Sequence, residues 1–317
     1  MDHGMHGMMT DLPPFTLGRA FAYASDPFFL VGCCLALVLY GWGVARLVRR
    51  GDAWPVGRQV AFFLGVLTVG LTMCTGLNTY GMVMFSVHMI QHMIISMVSP
   101  ILLLLGAPVT LALRALPVAA RRGSKGPREL LLMLLHSRFV RVVSHPGFTI
   151  PIFIASLYGL YFTPIFDFLM SSEVGHIAMM VHFLAVGLLF FWPIMGIDPG
   201  PHRSGYLMRI LELFAGMPFH AFFGIALMMA SEPMVNVYKH PAASLGIDAL
   251  SDQTAAGGIA WAFSEVPSVL VLISLVFQWY KSDQRQARRT DRAADRDGDK
   301  ELAAYNDYLA ALQARGR

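Results

Sequence analysis

Five histidines lie in stretches apolar enough to cross a bilayer: His88 and His92 in one, His176 and His182 in a second, His220 in a third. An ionisable ring is costly to keep in hydrocarbon, so such groups mark functional positions. Methionines accompany them at helical spacing: Met89 beside His88, Met180 one turn from His176, Met217 one turn from His220. Imidazole together with thioether suits soft or borderline metals, copper above all, and the thioethers favour Cu(I). Two plainer readings stand beside this one. The histidines are satisfied singly by backbone or serine partners, or the methionines merely fill gaps in an apolar core.

A second cluster opens the chain, Met1-Asp2-His3-Gly4-Met5-His6-Gly7-Met8-Met9. A free α-amine, two deprotonated amides and the His3 imidazole offer four nitrogens in a plane, which suits Cu(II) or Ni(II). Asp2 should hinder removal of Met1 and so keep His3 third. Met5, His6, Met8 and Met9 are softer and suit Cu(I). A chance tail in a methionine-rich chain is the alternative, since short His-rich tracts are weak signals.

The elements that must position these groups follow from composition. The chain has 317 residues, 56% hydrophobic and only 14% charged, as expected of an all-α polytopic membrane protein. Seven stretches qualify as spans: 27–45, 60–77, 82–105, 147–166, 174–195, 206–230 and 257–279. They divide the chain into a His/Met-rich tail (1–26), a seven-transmembrane-helix bundle (27–280) and a charged tail (281–317). No basic start or early apolar run marks a signal peptide. Cys33, Cys34 and Cys74 show neither disulfide nor zinc spacing. All but two of the 24 basic residues, Arg19 and Lys239, fall on one side of these spans. The positive-inside rule then puts the amino terminus outside and the carboxyl terminus in the cytoplasm. The partner expected from composition is the lipid bilayer, with no nucleic acid.

Between spans three and four, 129–143 is expected as an interfacial helix. The segment 281–300 is expected to be partly disordered. Leu302, Tyr305, Leu309 and Leu312 recur at the spacing of a short amphipathic helix.

Orientation converts position into depth. At about 1.5 Å per residue, His92, His182 and His220 reach roughly 12–15 Å from the outer surface, with His88 and His176 above them. His88, His92, Ser96 and Ser99 fall on one helical stripe, with Met89, Met93 and Met97 alongside. His182 points to another face of its helix than His176, so one undistorted site does not take both. Gly216, His220 and Gly224 share a face that allows close helix approach. Glu265, followed by Pro267, is a candidate acceptor that orients a ligand imidazole or takes its proton; bonding to Trp261 or Ser268 is the plainer role. Glu212 beside Arg209 is expected to be an ion pair. Thr68, Thr72, Thr75 and Thr79 are expected to be helix-packing glue.

Several runs carry a resemblance: Ser86-Val-His88-Met-Ile-Gln91-His92 through Pro100, closing with Leu105-Gly106-Ala107-Pro108; Ser156 through Pro164, Asp167 and His176 to Phe190-Phe-Trp192-Pro-Ile-Met-Gly196; Met217-Pro-Phe-His220-Ala-Phe-Phe-Gly224; and Gly257 through Trp261 to Glu265-Val-Pro267. Together they resemble CtaG-type cytochrome c oxidase assembly proteins over nearly the whole membrane region. The resemblance implies a multi-pass factor of the bacterial plasma membrane, of actinobacterial type. Such a factor is not an enzyme. It would bind copper and help deliver it to the CuB site of haem–copper cytochrome c oxidase subunit I, alongside other copper chaperones. One departure is visible. Where relatives carry an acidic residue followed by histidine shortly before the glycine matching Gly187, this chain has Met179-Met180, so Met180 is a candidate ligand. Two alternatives remain open: a haem-binding redox protein with axial pairs such as His92 and His182, and a copper transporter. The transporter would need polar groups below the histidines, and no histidine follows them within those spans.

Overall fold

The computed structural model describes residues 12–24, 26–119, 125–202, 204–297 and 300–315. Its described residues form helices and no strand; one isolated bridge joins Tyr23 and Thr75. In chain order the helices are α1 (Leu17–Ala20), α2 (Pro27–Arg49), α3 (Val56–Met73), α4 (Gly76–Gly81), α5 (Phe85–Met93), α6 (Ser99–Leu105), α7 (Pro108–Ala115), α8 (Pro127–Leu135) and α9 (Arg138–Val143). There follow α10 (Pro146–Tyr161), α11 (Ile165–Met170), α12 (Glu173–Met195), α13 (Tyr206–Met229), α14 (Ala249–Asp297) and α15 (Lys300–Arg315). The chain divides into two compact units, Met1–Leu270 and Val271–Arg317.

Among the described residues, six helices are long and apolar enough to cross a membrane. Leu35, Val38 and Leu39 on α2 are exposed, as apolar side chains are where hydrocarbon rather than water surrounds them. The fourth expected span is shorter than its apolar stretch. α10 has 16 residues, roughly 24 Å of rise, and stops before Thr163-Pro164. Proline disfavours helical geometry in the residue before it, so the chain turns there and restarts as α11. The expected interfacial helix is instead the pair α8 and α9, and the expected disordered segment continues as helix to Asp297. α15 covers the amphipathic stretch.

The third span is not one regular helix. Between α5 and α6 the residues Ile94–Val98 form a π-turn. Pro100 supplies a reason: it donates no hydrogen bond to the Ser96 carbonyl and its ring crowds that oxygen, so the backbone widens there. The freed Ser96 carbonyl faces α12 at Gly187, where any Cβ would overlap it. Glycine at 187 is therefore what lets α12 pack against the widened turn. Gly224 of α13 and Gly257 of α14 make a similar approach, each filling the space the other's Cβ would need.

Past α6 the chain reverses through Ala107, whose φ of 50° lies in the left-handed region. Asp198 holds this corner by accepting from the Val109 amide (3.1 Å) and the Thr110 amide (2.7 Å). The Tyr40 hydroxyl donates to the Gly106 carbonyl at 2.8 Å. The Leu-Gly-Ala-Pro run thus marks a fixed corner rather than a ligand.

Candidate metal centre

Four of the five histidines come from three helices, α5, α12 and α13, and stand as neighbours in the core of the first unit. Each is buried, none more than 4% exposed. They fall into two pairs. The His88 and His176 ring centroids are 6.5 Å apart, and those of His92 and His220 are 6.3 Å apart. Tyr161 at the end of α10 lies against both tiers, 5.9 Å from His88 and 5.7 Å from His92. Its hydroxyl is 2.9 Å from His88 Nε2. Phe166 packs edge-on to His88 at 5.0 Å, Phe183 edge-on to His92 at 4.1 Å, and Phe153 lies 5.1 Å from His220.

Inside this aromatic casing the polar atoms are poorly matched by protein. His88 Nδ1, both nitrogens of His92, His176 Nε2 and His220 Nε2 are buried without a protein hydrogen-bond partner. A buried polar group left so costs about 1–3 kcal/mol. Four neighbouring rings that repeat this cost offer nitrogen lone pairs of the kind that suit a soft cation.

His182 is different. Its Nε2 is 2.8 Å from Ser156 Oγ and the ring is half-buried. The plain serine-bonded reading therefore describes His182 and not the rest. Ser96 and Ser99 do not serve the histidines either. Ser96 bonds back to the His92 carbonyl at 2.7 Å, and the π-turn swings Ser99 onto Thr68 of α3 at 2.8 Å. The single polar stripe expected along the third span is thereby split.

Met89 and Met180 are fully buried, and Met217 is half-buried. Glu265 is half-buried and makes no hydrogen bond to an imidazole among the described residues. Glu212 and Arg209 meet through Ser204 instead of directly: the carboxylate accepts from its hydroxyl at 3.2 Å, and Arg209 Nε donates to its carbonyl at 2.9 Å. Thr72 bonds back to a carbonyl of its own helix and Thr75, just past its end, to that of Leu71, leaving Thr68 as the one cross-helix link of that stripe among the described residues. His3 and His6 lie outside the described residues. Among the described residues, no three His, Cys, Asp or Glu side chains are grouped closely enough to share one ion.

Two positioning residues were not singled out from sequence. Asp252 at the start of α14 accepts from the Phe85 amide at 2.6 Å, the Ser86 amide at 3.3 Å and the Ser86 hydroxyl. It thereby fixes the first turn of α5, which carries His88. The signal available was negative: Met84 has no side chain that can cap α5, so a partner for its amides must come from elsewhere. Tyr161 lies inside the Ser156–Pro164 run, and nothing in spacing marks a tyrosine that ends a helix three residues before a proline as the neighbour of two histidine pairs.

The family model described as cytochrome c oxidase caa3 assembly factor matches residues 38–282. Uncharacterized proteins of Mycobacterium bovis and Mycobacterium tuberculosis are each 47% identical over 292 residues, covering 91% of this chain and 44% of theirs. A further uncharacterized protein, of Mycobacterium leprae, is 46% identical over 292 residues, with the same coverage. The chain thus spans less than half the length of the curated relatives it matches. No solved structure matches it.

Proposed function

We propose that this chain, which belongs to the cytochrome c oxidase caa3 assembly factor family, binds copper as Cu(I) through its buried imidazoles and helps deliver it to the CuB centre of the oxidase. Copper is here a cargo, and the role is one of assembly rather than catalysis. The observation that carries the reading is the gathering of His88, His92, His176 and His220, with five ring nitrogens lacking protein partners. A family whose task is oxidase assembly has use for such a store, because the oxidase needs copper inserted into a membrane-embedded subunit. With the amino terminus outside and the plasma membrane as location, the histidines lie on the outer side, where subunit I of the oxidase is the partner and the His3/His6 tail a collecting arm. Met89, Met180 and Met217 supply soft character around the rings.

The haem alternative is disfavoured by packing. A porphyrin is far wider than an imidazole, and Phe183 at 4.1 Å from His92 and Phe153 at 5.1 Å from His220 occupy the flanks it would need. His182, the other axial ligand considered, is engaged by Ser156. The transporter reading lacks any further histidine below these rings in their spans.

The test is anaerobic Cu(I) competition on purified protein in detergent, with an absorption spectrum of the same sample. Copper should be retained against a weak chelator, and the reduced protein should show no haem bands. Free loss of copper to the chelator would overturn the proposal.

A further inference from the structure

Building on the copper reading, we propose that the chain holds not one copper site but two, stacked a helical turn apart. Each is a two-coordinate site for a soft monovalent ion, His88 with His176 and His92 with His220, and Tyr161 stands between them.

The distances carry the argument. A metal bridging two imidazoles in line, with each nitrogen about 2.0 Å away, holds the ring centroids roughly 6.3 Å apart. The observed separations are 6.5 and 6.3 Å. Each pair also has an unpartnered nitrogen on both rings: His88 Nδ1 and His176 Nε2 in one, either nitrogen of His92 and Nε2 of His220 in the other. The absence of any group of three ligating His, Cys, Asp or Glu side chains among the described residues argues against one four-imidazole site and leaves pairs. His88 and His92 are four residues apart on α5, so the two sites are separated by about 6 Å of helical rise.

A partner at the far side of one ring fits ligation. A ligating histidine usually anchors its other nitrogen, fixing tautomer and orientation. His88 has Tyr161 Oη on Nε2. If His88 Nε2–H donates to the tyrosine, Nδ1 keeps its lone pair and binding needs no proton release. Two neutral imidazoles leave one net charge on a bound monovalent ion and two on a divalent one. In this largely aromatic casing the smaller charge is the cheaper to bury. Passage from the first tier to the second is a ligand exchange. A bond to His88 or His176 breaks as one to His92 forms, and copper stays Cu(I) with no electron transferred.

The experiment uses the full chain with His3→Asn, His6→Asn, Met5→Leu, Met8→Leu and Met9→Leu, so that tail copper is not counted, loaded with Cu(I) anaerobically. We expect two copper ions per chain, and X-ray absorption showing two nitrogen neighbours per copper and no sulfur. The His88→Ala/His176→Ala and His92→Ala/His220→Ala variants should each keep one ion. One ion per chain, lost in either variant, would mean a single shared site and overturn the proposal, as would three or more neighbours or a sulfur neighbour. The stoichiometry and coordination number of the unsubstituted rings decide the matter even if a variant fails to fold. No bound copper at all would instead remove the copper reading on which this rests.

Discussion

His92 lies in the core with neither ring nitrogen bonded to protein, and its environment is otherwise aromatic. A side chain kept at such a cost for a ligand should be replaceable with profit when the ligand is absent. His92→Leu is therefore expected to raise the thermal midpoint of the metal-free protein, because it removes an unmatched group worth about 1–3 kcal/mol. The same variant should weaken copper retention. His88→Leu is the contrasting case: it strips the Tyr161 hydroxyl of its partner and should lower the midpoint. Thermal unfolding of both variants in one detergent checks this pair, and destabilisation by His92→Leu would mean that the ring is structural. Nothing in sequence spacing separates these cases. That His182 has a serine and His92 has nothing depends on which helix each ring faces, and periodicity gives only the angle on its own helix.

At the scale of elements, the π-turn at Ile94–Val98 sets where the third span points after His92. Gly187 is the residue that lets α12 meet it, and α12 carries His176. Gly187→Ala puts a Cβ into the Ser96 carbonyl. Overpacking of this kind costs about 1–3 kcal/mol, and because it shifts α12 it should also lower copper affinity without touching any ligand. Unchanged stability and affinity in this variant would show that the contact yields freely. Much at this scale was legible: the long helices α2, α12 and α13 follow directly from unbroken apolar runs, and Asp26 and Ser172 cap two of them as such residues do. The π-turn, the break at Thr163-Pro164 and the cap by Asp252 were not. Each arises where a backbone group finds its partner on a distant segment, or loses its own to a proline, and neither event leaves a periodic trace.

At the scale of the whole molecule, the asymmetry of basic residues is the observation that gives the histidines a side. With Cys33, Cys34 and Cys74 replaced by serine, a cysteine placed in 242–247 should react with an impermeant reagent added outside intact cells. One placed in 282–296 should react only after the membrane is opened, and the reverse pattern would put the histidines on the cytoplasmic side. The chain covers 44% of the length of its mycobacterial relatives. If copper held by these imidazoles reaches the oxidase, as proposed, the copper-to-haem ratio reports it in oxidase purified from copper-limited cells carrying His92→Ala/His220→Ala on the chromosome, with the variant protein verified in the membrane. Haem-containing oxidase is expected with copper lowered severalfold and partly restored by added copper, as mass action allows when capture is weakened. A normal copper-to-haem ratio under copper limitation would contradict it.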